Sequence, residues 1–575
     1  MNSNSENLHT QQRVHSALWA AWADALGFIS ELTDEAGLHR RLGGAELEYP
    51  VEWQRRIGGK FGVTVSLPAG TYSDDTQLRL SVGRAIRPSG FDPEAFSKIE
   101  LPVWPSYALG GGRATKAAAS HIAGASVPWF GNFFKGWSEA GGNGAAMRVQ
   151  PHIWAAREPG RVGSHLLDVL IDAVITHGHP RALVGALFHS MSLGFTLDRG
   201  QIPSPADWGT IADELHQFPT LIRHHPELSL WCSTWERSTE IKLDDAWGST
   251  IDEMVQMFSV AEEFVPIGEA ALEREDFASL HEAFNTLATG LHLRDPATRG
   301  SGTATVVAAS ALAAVGASKP IPMLQVTARA IGTDTDTIAT MAAALMGSVT
   351  NCEPPTSVAD REYIASEALR LAKISRGHDQ VENFAYPDLL HWEAPRSQAA
   401  AFGLAEGKPA LAGLGLCEDM ELAGVARSFS WSWARLNFGQ TILVKHRTEL
   451  DELPVTQYPA PQARGAGKIN TVSRSDTSQF KHRTTQQEIE PFMPATTSQE
   501  HRPSADQSRR HTSGTQDLDV DAMLEWLRAQ GHTDQAIGYA VRRIAELGTM
   551  EQMIAFTATI QAEIRIIAAH NRRSF

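Results

Sequence analysis

The chain has 575 residues, three cysteines and a formal net charge of -16. That balance argues against a general nucleic-acid-binding surface, and the widely spaced Cys232, Cys352 and Cys417 fit neither a zinc framework nor a disulfide framework. No run is apolar for long enough to span a bilayer and Met1 to Gln12 has no apolar signal core, so a soluble, cytoplasmic protein without a membrane partner is expected.

Residues 1–11 read as a disordered tail, and 12–385 as one all-α main domain. His15 to Trp22 opens an apolar helix that runs into Asp24, with Glu31 seven residues further on. Further helices are expected over Asp75–Ile86, Val162–Thr176, Arg181–Leu193, Gly302–Val315, Met323–Ala330, Ile338–Met346 and Tyr363–Ala372. The stretch from Gln201 to Asp295 offers no motif. Over 386–453 the texture changes to an accessory segment. There Phe429–Ala434 alternates aromatic and small residues, Arg435–Phe438 shifts phase as at a bulge, and Thr441–Lys445 completes a β-hairpin. Residues 454–516, rich in Pro, Ser, Thr and Gln, read as a disordered linker. Over 517–575 the amphipathic pattern returns as a small helical module, expected to recruit an unknown protein partner or to cap the main domain.

Two acidic clusters carry the chemistry. Ser73-Asp74-Asp75-Thr76-Gln77 and Gly332-Thr333-Asp334-Thr335-Asp336-Thr337 each precede a helical run. One such cluster is an ordinary helix cap, and Asp74 and Gln77 have a capping-box-like spacing. Two clusters hold more acids than caps need. Neighbouring carboxylates repel unless a cation lies between them, and all-oxygen ligands suit Mg²⁺, Mn²⁺ or Ca²⁺. Gly141-Gly142-Asn143-Gly144 allows backbone N–H groups to approach a phosphate, as does, less distinctively, Gly110-Gly111-Gly112 before Arg113 and Lys116. Thr176-His177-Gly178-His179-Pro180 lacks zinc spacing and reads as histidines bonding at a helix end.

In their order, the strings ADALG, SDDTQ, GNGAAMR, THGHP and GTDTDT resemble the ADP-ribosylglycohydrolase family, which includes the dinitrogenase reductase-activating glycohydrolases. The resemblance covers roughly Gln12 to Ala372. It implies an all-α fold with two Mg²⁺ ions in a cleft, Mn²⁺ being a possible substitute. By the same resemblance Ser73, Asp74, Asp75, Asp334, Asp336 and Thr337 hold the ions. Gly141, Gly142, Asn143 and His177 lie at the diphosphate, and Glu31 matches a mobile acid over the metals. Glu31, Asp75 and Asp334 are the candidate catalytic residues, with the general base left open among the acids. Ala23 stands where the family usually has Gly, and Ser73 where Thr is frequent. The activity implied is Mg²⁺-dependent removal of ADP-ribose from a modified protein side chain at the anomeric bond. Alternatives are hydrolysis of a small ADP-ribose conjugate, or a non-catalytic protein of the immunity type that binds ADP-ribose or a toxin.

Overall fold

The computed structural model describes residues 3–125, 127–378, 380–458, 520–529, 532 and 534–571. The chain forms two compact units, Met1–Gly465 and Ala466–Phe575.

The first unit is mostly helical. Its main helices are α1 (Ser3–Phe28), α2 (Asp74–Ala85), α3 (Ser164–Thr176), α4 (Pro180–Arg199), α5 (Leu243–Glu273), α6 (Gly302–Gly316), α7 (Thr335–Val349) and α8 (Arg361–Ser375). α1 begins at Ser3, so helix occupies most of the expected tail. Extending a helix already fixed by packing costs far less than nucleating one, and residues 3–11 hold no Gly or Pro to stop it. The unassigned 201–295 stretch is helical as well, anchored by the buried indoles of Trp208, Trp231 and Trp247.

α1 and α7 form the centre, antiparallel and in close contact. Thr340 Oγ1 donates to Ala20 O at 2.7 Å, and Ser16 Oγ donates to Ala344 O at 2.7 Å. Glycines set the spacing at both ends: a Cβ on Gly27 would stand 2.6 Å from Asp336 Cα, and one on Gly347 would stand 2.7 Å from His15 O. α6 packs against α4, α5 and α7, which explains its almost wholly apolar, small-residue surface.

Two strands, β1 (Trp53–Ile57) and β2 (Val63–Leu67), pair antiparallel after α1; sequence periodicity did not find them. The accessory segment holds five antiparallel strands in chain order instead of one hairpin: β3 (Phe402–Ala405), β4 (Lys408–Leu411), β5 (Gly415–Ala426), β6 (Phe429–Leu436) and β7 (Thr441–Arg447). The expected hairpin is β6–β7. Its register is unbroken, and the bulges lie in β5, near Glu418 and Ala423. The sheet belongs to the first unit. Gln440 Oε1 accepts from Arg84 Nη1 at 2.7 Å, and Asp360 Oδ2 accepts from both Thr441 N (2.8 Å) and Tyr72 Oη–H (2.7 Å).

At the start of the expected linker, 454–458, Gln457 is buried and its Nε2 donates to Glu393 O at 2.7 Å. The rest of that linker, from 459, lies outside the described residues. The second unit contains helices Val520–Ala529, Asp534–Leu547 and Met550–Asn571, closed over Met523, Leu527, Ala540, Ile544 and Phe556. Among the described residues no helix is long and apolar enough to cross a membrane.

Candidate active site

The site lies where the N-terminal ends of α2 and α7 meet. A residue at or just inside a helix start directs its side chain out of the helix end, so acids at two such ends can converge. Ser73 caps α2, its Oγ accepting from Asp75 N at 3.2 Å, with Asp74 and Asp75 in the first turn. Asp334 precedes α7, with Asp336 and Thr337 in its first turn. The two ends touch directly: Thr337 Oγ1 donates to Asp75 Oδ2 at 3.3 Å, and Ser73 Oγ approaches the same oxygen at 3.4 Å. Glu31, on the turn after α1, offers one carboxylate oxygen; with one each from Asp334 and Asp336, all lie within 4.8 Å of one another.

Three neighbours fix this arrangement. Asp24, fully buried on α1, accepts from Ser73 N (2.9 Å), Thr76 N (2.9 Å) and Thr76 Oγ1 (2.5 Å), and so ties the start of α2 to α1. Gln77 is no capping-box partner. It grips the loop before Gly110, accepting from Leu109 N at 3.1 Å and donating to Tyr107 O at 3.1 Å. That loop abuts the acids: a Cβ on Gly110 would lie 2.1 Å from Asp74 Oδ1. Gly110 therefore serves close packing on an acid, and its expected phosphate role finds no support in this contact.

Asp74, Asp75, Asp336 and Glu31 are held against their ordinary ionisation. Burial, reinforced by Asp24, pushes Asp74 up to about 6 and Asp75 well above the carboxylate range. Burial, reinforced by Glu31, does the same to Asp336. Burial raises Glu31 to about 7, against the pull of Arg55. Asp75 Oδ1 is buried with no hydrogen-bonding partner among the described residues. An orphaned carboxylate oxygen among crowded acids, in an all-oxygen donor set, fits a hard divalent cation.

A pH test follows from these shifts. Glu31 and Asp74 bind protons more tightly in the folded chain than in the unfolded one. Their stabilising contribution is complete below the ordinary carboxylate range and is lost as pH rises through about 6 for Asp74 and about 7 for Glu31. The melting temperature in EDTA should therefore drop further below that in Mg²⁺ between about pH 5 and about pH 8. A gap that does not vary with pH would mean that no cation lies close enough to Asp74 and Glu31 to favour their ionised forms.

The glycine loop lies alongside Asp334. Asn143 Nδ2 donates to Asp334 Oδ2 at 2.9 Å, and Asn143 N donates to Gly300 O at 2.8 Å. Gly302 N, at the start of α6, donates to Gly141 O at 3.0 Å. A Cβ on Gly142 would meet only Gly300 O at 3.5 Å and His177 Nε2 at 3.8 Å, which are ordinary contacts. His177 packs beneath the loop. Burial, helped by Arg148, pushes its pKa down to about 3, so the ring is neutral, with Nδ1 2.8 Å from Thr176 Oγ1. His179 is the histidine at a helix end: its Nδ1 accepts from Arg181 N at the start of α4. Arg148 was not foreseen. It donates to Gly144 O at 2.7 Å and Thr176 Oγ1 at 2.8 Å, which joins the loop to His177.

No curated protein matches this chain. One solved structure, of an ADP-ribosylglycohydrolase-related protein complex, is 19% identical, covering 64% of this chain and 99% of its own, at a TM-score of 0.38; at that level the likeness carries no argument. A sequence profile of the ADP-ribosylglycohydrolases matches residues 6–379, and the chain belongs to that family of hydrolases acting on ADP-ribose conjugates.

Proposed function

We propose that the protein is a Mg²⁺-dependent hydrolase that releases ADP-ribose from a modified protein side chain by cleaving the bond at the anomeric carbon. The observation that carries this is the convergence of Glu31, Asp334 and Asp336 beside Asp75, whose Oδ1 has no partner. Ser73, Asp74, Asp75, Asp334, Asp336 and Thr337 would hold two Mg²⁺ ions, with Mn²⁺ able to substitute. When bound, the ions supply Lewis-acid polarisation of a ribose diol and a water.

The remaining work falls to the chain itself. The Asn143 N–H is taken by Gly300 O, so the backbone N–H groups of Gly141, Gly142 and Gly144 would be the ones to meet the diphosphate, and neutral His177 supports the loop without adding charge. Cleavage develops oxocarbenium character at the anomeric carbon, which nearby carboxylates stabilise. Glu31, Asp75 and Asp334 are the candidates to take the proton of the attacking water. Glu31 suits the task best: its pKa of about 7 lies near the operating pH, and Oε2 has no hydrogen bond to give up. The water's hydroxyl ends on the anomeric carbon, and the leaving side chain regains a proton.

The test is release of free ADP-ribose from proteins modified through defined linkages, with Mg²⁺ and with EDTA. Release with Mg²⁺ and none with EDTA is expected. Gly142→Val, whose Cβ would meet only ordinary contacts, should weaken ADP-ribose binding much more than it lowers the melting temperature. Release that is unaffected by EDTA, or no release from any linkage, defeats the proposal.

A further inference from the structure

Two arginines grip the turn that carries Glu31. Arg41 Nη1 donates to Ile29 O (2.6 Å) and to Glu31 O (3.0 Å), fixing the backbone. Arg55, on β1, brings Nη2 within 3.6 Å of Glu31 Oε2, which is an ion pair and not a hydrogen bond. Aromatic rings hold both guanidinium groups in place. Arg41 lies 4.7 Å from the centre of the Trp53 ring, and Arg55 lies 4.4 Å from that of Phe28 and 5.8 Å from that of Trp53. The pairing is incomplete on both sides: Arg55 Nη1 and Glu31 Oε2 are buried without a hydrogen bond among the described residues.

Glu31 also faces the acids, with an oxygen within 4.8 Å of those of Asp334 and Asp336. One carboxylate is thus placed between a guanidinium locked by stacking and a cluster suited to a divalent cation. A carboxylate that coordinates such an ion gives its lone pair to the metal, whereas an arginine 3.6 Å away with no hydrogen bond lowers the basicity less and leaves that lone pair for a proton.

We propose that Arg55 is a positioning residue that competes with the metal for the Glu31 carboxylate. It weakens metal binding and keeps Glu31 free for the water. This rests on the metal-binding reading of the acidic cluster.

The experiment titrates Mg²⁺ by calorimetry into the full-length chain without substrate, and separately measures kcat and KM on a modified protein. Arg55→Met keeps the apolar stem. It should bind Mg²⁺ roughly twofold to fivefold tighter, the scale of a partly exposed ion pair, while kcat falls and KM holds. Arg55→Lys should return the affinity to that of wild type. Introduced together with Glu31→Ala, Arg55→Met should leave affinity where Glu31→Ala alone puts it. Tightening that persists without Glu31 would mean simple charge repulsion and overturn the proposal, as would an Arg55→Met chain that binds Mg²⁺ no tighter than wild type. Should Arg55→Met not fold, Arg55→Gln carries the same expectations. A wild-type chain that takes up no Mg²⁺ refutes the metal reading itself, and the competition with it.

Discussion

Asp336→Ala should lower turnover at saturating Mg²⁺ by roughly 10³-fold or more, because losing several kcal/mol of charge stabilisation costs a factor of ten per 1.36 kcal/mol. Asp336 lies at the meeting of the two helix ends, buried, with an oxygen close to those of Glu31 and Asp334. The same substitution should not destabilise the metal-free chain. Burial and repulsion from Glu31, Asp75 and Asp334 all oppose ionisation of Asp336, so its removal relieves strain in the apo state. Melting in EDTA should therefore hold or rise, and the stabilisation that Mg²⁺ gives the wild type should shrink. A variant with full turnover would remove Asp336 from the metal site. One that lost turnover but melted far below wild type in EDTA would mark it as structural.

Asp172→Ala should destabilise the fold by about 3–5 kcal/mol, because it strands a buried guanidinium without its counter-ion. Asp172 and Arg148 are both fully buried, and Arg148 Nε donates to Asp172 Oδ1 at 3.0 Å. Burial acts to raise the Asp172 pKa, but Arg148 and His152 outweigh it and hold the carboxyl below its ordinary value. Chemical denaturation measures the loss. The double variant Asp172→Ala with Arg148→Met should recover part of it, since no uncompensated charge remains. If the Gly141–Gly144 loop binds ADP-ribose as proposed, that binding should not recover, because Arg148 also holds the Gly144 carbonyl and Thr176 beneath the loop. A double variant no more stable than Asp172→Ala would show that the stranded charge is not the cause.

The acidic strings, the glycine loop and most helices were legible because each is local: a cap, a turn or an apolar period shows itself within a dozen residues. What escaped notice depends on distant partners. Asp24 reads as an ordinary helical acid until Ser73 and Thr76 donate to it from 49 and 52 residues away. β1 hides because Arg55 occupies a half-buried position, where a periodic pattern calls for an apolar residue, and only Phe28, Trp53 and Glu31 explain it. Gly110 looks like a phosphate-loop glycine, yet its missing Cβ makes room for Asp74. The sheet was reduced to one hairpin because β3, β4 and β5 are interrupted by glycines and charges that blur the alternation. The family match ends at 379, but Arg84, Tyr72 and Asp360 are bonded directly or in turn to Gln440 and Thr441, so the sheet is part of the support beneath α2.

The pairing of α1 with α7 also sets a clock. Ala20 and Thr340, joined across that contact, are 320 residues apart. At a synthesis rate of about 5–20 residues per second, α1 waits roughly a quarter of a minute to a minute for its partner. Through that interval the indoles of Trp19 and Trp22, which finally bond to Cys352 O and Thr356 Oγ1, lack those acceptors, and the face of α1 that meets α7 has no partner. The acid-rich centre, which needs the N-terminal end of α7, is therefore among the last parts of the first unit to assemble.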